Sequence, residues 1–261
     1  MKEEKLNRFG IDFDQGGAHF ARTIMLEELR QLLTYVDEIN APKVTYRHAI
    51  EEENCLGKRS GSTRKITTSK LAILYGLDPE LTVFRTLRYL WFRDEEARPL
   101  LAILCSIVRD RILRQSIPFI LRMQEGEVFI KEQLEEYIES IEANQFTKLT
   151  IESTVRNLSS SWTQSGHLKG RIKKVKSRVI ATPGAIVYAL FLGYLMGARG
   201  KAMFETDFIK VTECNIEQAI ELAESASRRG WIVMKRVGDV IEVHFPNFID
   251  HKERGWIYEQ G

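Results

Sequence analysis

The sequence has few of the residue types that mark a secreted or metal-binding protein. Its 261 residues contain three cysteines, which lie far apart and form no Cys-x-x-Cys pair: Cys55, Cys105 and Cys214. An odd, scattered set argues against a disulfide framework and against a zinc site, and is typical of reduced thiols. The first ten residues, MKEEKLNRFG, are charged and do not resemble a secretory signal. We therefore expect a cytoplasmic protein.

The sequence also lacks a long uninterrupted apolar run. The most apolar stretch covers residues 179–197, VIATPGAIVYALFLGYLMG, and Pro183 and Gly184 break it near its start. About 13 helical residues remain, fewer than the ~20 that a membrane span requires. We expect a buried core helix here and no membrane insertion.

Catalytic and cofactor-binding motifs are scarce as well. There is no HExxH, and the glycines at 197 and 200 before Lys201 lack the spacing of a phosphate-binding loop. Asp239, Glu242 and His244 weakly resemble the metal-binding pattern of some nucleases, but they straddle a tight turn and a lysine is missing. We expect a non-enzymatic binding protein with no catalytic residue, no metal and no cofactor.

Charge is distributed unevenly along the chain. The net charge is only +2, so any affinity for nucleic acid must come from local clusters of cations. From Ser153 to Phe204 there are nine lysines and arginines and no acid, whereas residues 125–142 hold seven glutamates and one lysine. This partition predicts one positive and one negative face, of which only the first attracts phosphates.

The most informative stretch covers residues 149–178. Its first half predicts a helix with one apolar stripe, formed by Ile151, Val155, Leu158 and Trp162. The opposite face carries only neutral or basic hydrogen-bonding residues: Ser153, Arg156, Asn157, Ser160 and Gln164. Six cations follow in a segment that is expected to form a hairpin: Lys169, Arg171, Lys173, Lys174, Lys176 and Arg178. A helix for the major groove followed by a basic wing is the pattern of a winged helix-turn-helix. The alternative is a surface helix beside a solvated lysine loop.

A second basic stretch lies between Asn54 and Leu77, where no acid occurs. We predict a helix that starts at about Thr63 and is capped by Ser62. Its free N–H groups would form a phosphate or carboxylate site with the surrounding side chains of Lys58, Arg59, Ser62, Thr63, Arg64 and Lys65. The alternative is a capped helix within a basic loop.

The C-terminal part repeats the order of helix, glycine and hairpin. We predict a helix from Ile216 to about Ser227, an end at Gly230, and two strands around a Gly238–Asp239 turn. This second winged-helix-like unit exposes acids that would repel DNA, namely Glu217, Glu221 and Glu224, so we interpret it as scaffold or protein contact. The predicted fold is mainly α, with a helical domain at residues 1–124 and a C-terminal domain of winged-helix-like units with short β-hairpins at residues 125–261.

Several of these features together resemble the BrxA family of BREX bacteriophage-defence systems. They are the Gly-Gly pair before a long helix, the segment EEENCLGKRSGSTRK, the helix ending in Trp162, and the C-terminal hairpin ending in HFPN. The resemblance covers nearly the full chain and is most specific between Glu52 and Lys65. It implies a largely helical, non-enzymatic DNA-binding protein that acts beside a methyltransferase, ATPases and other BREX proteins. It supplies no residue-by-residue binding map.

Three functions are compatible with these features. The first is binding of double-stranded DNA, mainly through its phosphates, in phage defence. The second is a protein-interaction adaptor whose basic faces dock acidic partners among the BREX proteins. The third is RNA binding, which the small number of aromatics near the basic stretches disfavours, because single strands are bound largely by stacking.

Overall fold

The computed structural model describes residues 2–13, 17–142 and 146–258. The sequence DQGG at residues 14–17 predicts a turn, and most of it lies outside the described residues. Within them the protein is mainly α-helical, with 57% helix and two short antiparallel hairpins. This confirms the predicted fold class.

The secondary structure elements are numbered in chain order. The helices are α1 (Lys2–Arg8), α2 (Leu26–Tyr35), α3 (Lys43–Glu51), α4 (Gly61–Tyr75), α5 (Thr82–Trp91), α6 (Arg98–Ile107), α7 (Arg111–Gln115), α8 (Ile117–Arg122), α9 (Lys131–Ile141), α10 (Lys148–Gln164), α11 (Pro183–Leu195), α12 (Asp207–Val211), α13 (Ile216–Arg228) and α14 (His251–Tyr258). The strands are β1 (Leu168–Lys169), β2 (Val175–Lys176), β3 (Val233–Val237) and β4 (Val240–His244), and a 3₁₀-helix covers Gly200–Glu205.

The chain forms two compact units, and neither is continuous in sequence. Unit 1 holds the described residues of Met1–Ile11, Glu80–Leu104 and Val179–Gly261, and unit 2 holds those of Asp12–Pro79 and Cys105–Arg178. Both units collect segments from either side of residue 124, so they do not follow the predicted boundary there. Composition along the chain does not reveal which distant segments pack together.

Unit 2 contains the element order of a winged helix. Helix α8 is followed by an extended segment at residues 126–129, by α9 and α10, and then by the β1–β2 hairpin. The extended segment joins the hairpin as a third strand: Val128 bridges Val175, and the Lys176 N–H donates to the Glu127 carbonyl at 2.8 Å. The hairpin predicted after the central helix is therefore confirmed, and the element order fits the predicted winged-helix-like unit.

Helix α10 forms where its periodicity predicts it. Thr147 caps its first turn by accepting a hydrogen bond from the Thr150 N–H at 3.3 Å. The four residues of the predicted apolar stripe are all buried. Trp162 is fully buried, and its Nε1 donates to Ser116 Oγ at 2.9 Å. The stripe thus fixes which side of α10 faces the core of unit 2.

Unit 1 is built around α11, which is buried on nearly every side, as the apolar run predicts. Along the described residues no helix is both long and apolar enough to cross a bilayer. Helix α13 begins at a capping box of Asn215 and Gln218, and the predicted Gly238–Asp239 turn connects β3 to β4. Gly238 has a φ of +59°, a conformation that two-residue hairpin turns require.

Two helices start later than the sequence predicts. The apolar periodicity predicts a helix from His19 to about Ile39, but α2 begins only at Leu26, because residues 19–25 are held by side chains of α10 instead of by their own helical hydrogen bonds. The Asp78–Pro79 pair predicts a helix start there, but α5 starts at Thr82. The Asp78 carboxylate instead pairs with Lys43 at 3.2 Å.

Candidate nucleic-acid interface

The wing is the β1–β2 hairpin with its connecting loop, residues 168–176. Lys169, Arg171 and Lys173 are exposed there, and Ile172 between them is 99% exposed. Gly170 has a φ of +106°, and a Cβ atom on it would lie 2.1 Å from the Lys173 carbonyl oxygen. Only glycine fits this approach, so the loop is tight and its tip is presented to solvent in a defined place.

Two of the six predicted wing cations are turned inward. Lys174 is half-buried and its Nζ donates to Ser159 Oγ on α10 at 3.0 Å; desolvation lowers the pKa of this ammonium. Lys176 is buried, and its Nζ donates to the Ser177 carbonyl at 3.0 Å. These lysines hold the wing in place and are poorly placed to meet phosphates, whereas Arg178 is exposed as predicted.

The outer face of α10 carries part of the predicted set. Arg156 is exposed, and Ser153 and Ser160 are half-buried. The Ser153 hydroxyl donates its hydrogen bond to the Thr150 carbonyl at 2.9 Å. Toward a ligand, the Ser153 oxygen can therefore act only as an acceptor. Arg156 is therefore the side chain of this set that can reach farthest toward a ligand.

The other two residues of the predicted reading face bind the protein itself. The Asn157 amide donates to the His19 carbonyl at 3.0 Å. Gln164 accepts from the Leu26 N–H and donates to Thr23 Oγ1, both at 3.0 Å. Their amides thus hold residues 19–26 against α10 and are not available to base edges in this arrangement. The partners His19 and Leu26 lie 138 residues away in sequence, so the sequence pattern of α10 does not reveal them.

A buried Ser–His–Asp arrangement lies beneath the same segment. His19 Nε2 is 2.8 Å from Ser161 Oγ, and His19 Nδ1 is 3.1 Å from Asp110 Oδ2 in an ion-pair approach that is not an aligned hydrogen bond. All three side chains are fully buried, and Ser161 Oγ also accepts from the Ile24 N–H at 2.9 Å. A substrate carbonyl has no route to this oxygen. We interpret the arrangement as a polar clamp that fixes residues 19–24 to α10.

Asp110 is the charged end of this clamp. Burial by itself raises the pKa of its carboxyl, but the nearby His19 and hydrogen bonds from the His19 and Leu113 N–H groups outweigh burial and lower the pKa below its ordinary value. The same carboxylate caps α7, because its Oδ1 accepts from Leu113 N–H at 3.0 Å. One side chain therefore joins α7 to the segment that covers α10.

Sequence reasoning missed two exposed residues of this surface. Lys148 is exposed in the first turn of α10 and adds a cation there. It falls just outside the acid-free run, which begins after Glu152. Ile172 is a single apolar residue within a basic run, and one residue forms no periodic pattern. A count of charges alone does not find either residue.

The second basic stretch does open a capped helix, although two residues earlier than predicted. Helix α4 starts at Gly61 and its cap is Ser60, whose Oγ accepts from the Thr63 N–H at 3.2 Å. The Thr63 hydroxyl contacts Ser60 Oγ at 2.9 Å. Ser62, the predicted cap, is instead exposed in the first turn.

The cations of this stretch are only partly exposed. Lys58 pairs with Glu28 at 3.0 Å, and the half-buried Arg64 donates to the Glu52 carbonyl at 3.4 Å. Arg59 and Lys65 are exposed. Of the four cations predicted for this site, two are thus exposed to solvent and two are engaged by the protein.

Unit 1 shows a different surface. On α13 Glu217 and Glu221 are exposed, as predicted, whereas Glu224 is half-buried. In the part of the chain that the structure describes, no three His, Cys, Asp or Glu side chains come together closely enough to hold a metal ion. The exposed cations of α10 and the wing in unit 2 form the candidate ligand site.

No protein-family model matches this chain, and no curated protein is significantly similar to it.

Proposed function

We propose that this protein binds double-stranded DNA through unit 2, with the outer face of α10 toward the major groove and the wing on the adjacent backbone. The observation that carries the proposal is the exposed cation cluster Lys169, Arg171 and Lys173 at the tip of a wing that directly follows α10. In a winged helix these are the elements that meet DNA together.

The electrostatics of unit 2 restrict how DNA can approach. Six exposed cations lie on α10 and the wing side: Lys148, Arg156, Lys169, Arg171, Lys173 and Arg178. Helix α9 exposes Glu132, Glu136 and Glu139, which repel phosphates. Electrostatic interactions therefore favour binding of a duplex to the wing and α10 and disfavour its binding to α9.

The resemblance to the BrxA family extends the proposal. It supports a non-enzymatic role in a BREX phage-defence system, with DNA bound mainly through the backbone. That Asn157 and Gln164 are committed to contacts within unit 2 agrees with this mode, because few polar side chains of α10 remain to read bases. The exposed acids of α13 favour a second role, contact with a basic protein partner through unit 1.

The salt dependence of duplex affinity tests DNA binding. If five cations meet phosphates, log K against log salt should have a slope of about −4.5, from ~0.9 per contact. Replacing Lys169, Arg171 and Lys173 by alanine should make the slope less steep by about three. The control replaces Lys235 and Arg236, exposed on β3, and should change nothing. A slope near zero in the parent protein would refute the proposal.

The same titration with single-stranded DNA and with RNA separates the alternatives. Binding of RNA or single strands with affinity equal to the duplex would favour the RNA-binding alternative. Duplex binding that vanishes while an acidic protein partner is retained by the same cations would favour the adaptor. Selective duplex binding that depends on the wing supports the proposal.

A further inference from the structure

The tip of the wing carries an isoleucine where a charged or polar residue would be expected. Ile172 is 99% exposed, whereas its neighbours Arg171 and Lys173 are cations. An aliphatic side chain in this position contributes nothing to the core of unit 2. The loop is tight here, since a Cβ atom on Gly170 would lie 2.1 Å from the Lys173 carbonyl oxygen, and Ile172 between these residues points into solvent.

The minor groove is wide enough to admit a side chain from the wing tip. The strands of the wing pair antiparallel, with Lys169 opposite Val175, and neighbouring strands lie ~4.8 Å apart. The minor groove is ~6 Å wide, so the side chains at the tip can enter it while the ribbon itself stays outside. Cations are drawn to a narrow minor groove by its negative potential, and aliphatic side chains contact its sugars and base edges.

From this geometry, and resting on the proposed function, we propose that the wing tip enters the minor groove of duplex DNA, with Ile172 against its walls and Arg171 directed along it. Lys169 and Lys173 then meet the phosphates on either side. A·T-rich duplexes are the preferred partner, because their minor groove is narrower and more negative and lacks the exocyclic amine of guanine. This makes the wing a detector of groove shape in addition to an electrostatic anchor.

The test measures affinity of the full chain for two labelled duplexes of equal length, one with a central A-tract and one of G·C pairs. The parent protein should prefer the A-tract. Ile172→Ala should weaken A-tract binding by about tenfold, because the buried aliphatic contact is lost. Its salt slope should stay unchanged, since no charge is removed. The control Ile180→Ala removes an isoleucine that is 86% exposed elsewhere and should have no effect.

A minor-groove ligand provides an independent readout. Netropsin, which occupies A·T minor grooves, should weaken A-tract binding of the parent protein more than that of Ile172→Ala. Methyl green, which occupies the major groove and so competes with α10, should weaken the two proteins equally. Salt-dependent duplex binding with no effect of Ile172→Ala and none of netropsin would overturn the wing-tip proposal and leave DNA binding intact. Absence of duplex binding would overturn both. If Ile172→Ala instead weakened only capture by anionic phosphatidylserine vesicles, the tip would be a lipid contact and the proposal would be wrong.

Discussion

Replacing Gly170 with alanine tests whether the wing is shaped as described. The added Cβ would lie 2.1 Å from the Lys173 carbonyl oxygen, and the residue has a φ of +106°. The conformational strain of a positive φ costs ~1–2 kcal/mol for an L-residue. The contact is additional, and the two sides of the loop must separate by about 1 Å to relieve it. Because the wing strands are only two residues long, we expect the loop to rearrange before unit 2 unfolds.

Gly126→Ala is the matched control. Gly126 lies in the same unit with a φ of +84°, but nothing lies within 4 Å of where its Cβ would be. Gly126→Ala should therefore lose ~1–2 kcal/mol of unfolding free energy, which lowers Tm by roughly 2–8 °C in a chain of this size, and Gly170→Ala should lose at least as much. Only Gly170→Ala should also shift the amide resonances of residues 168–176 and weaken duplex binding by tenfold or more.

Three measurements on each variant decide the outcome: thermal unfolding, amide spectra and duplex affinity. If Gly170→Ala leaves the wing amides and the affinity as they are in the parent, the close approach to Lys173 does not exist and the tip is not fixed. If Gly126→Ala perturbs the wing equally, the effect is strain in the three-stranded sheet and not the contact at the tip.

Three further changes test the core and the buried polar groups. Trp162→Ala should lower the free energy of unfolding in urea by ~3–5 kcal/mol, because the side chain is fully buried. It should weaken duplex binding only under conditions where the protein unfolds, and a loss of affinity in fully folded protein would contradict this. Asp110→Asn should lower the free energy of unfolding at pH 7 by ~1.5–3 kcal/mol, because it removes a fully buried carboxylate that accepts from the His19 and Leu113 N–H groups. Because folding lowers the pKa of Asp110, its carboxylate stabilises the protein fully above the ordinary carboxyl pKa of ~3.9, and this stabilisation is lost as the pH falls below it. The difference in unfolding free energy between variant and parent should therefore shrink at low pH. A difference that does not change with pH would refute the assignment. Burial and the Glu53 carboxylate raise the pKa of Cys55 to about 11, so alkylation by iodoacetamide should be slow at pH 8 and faster in Glu53→Gln, and equal rates in the two proteins would argue against the carboxylate.

Local patterns predicted much of this fold because their causes are local. The spacing of Ile151 to Trp162 sets the buried side of α10, and the Gly238–Asp239 turn sets the second hairpin. Local patterns do not show which polar residues of α10 are exposed and which bind other parts of unit 2. Asn157 resembles a base reader in sequence, yet its amide binds the His19 carbonyl, and such a partner is visible only once distant segments are packed.

The same limit explains the wing. The six cations look equivalent in the sequence, but the side chains of Lys174 and Lys176 turn toward the protein. Successive side chains of a strand point to opposite faces, so residues 174 and 176 share one face. The register that decides which lysines turn inward comes from pairing with residues 126–129, which precede α9. Ile172 was missed for the opposite reason, since its exposure at the tip depends on the Gly170 turn and not on any periodicity.

The discontinuity of the two units has a consequence for how the protein is made. Unit 1 needs Val179–Gly261 to complete the core that Glu80–Leu104 begins, so its early segments leave the ribosome without their partners. At ~5–20 residues per second, the interval between synthesis of residue 104 and residue 179 is about 4–15 s. During that time the buried apolar residues of Glu80–Leu104 lack the segment that completes their core. Unit 2, whose last segment ends at Arg178, can be complete first, and the order of emergence favours the folding of the proposed DNA-binding unit ahead of its neighbour.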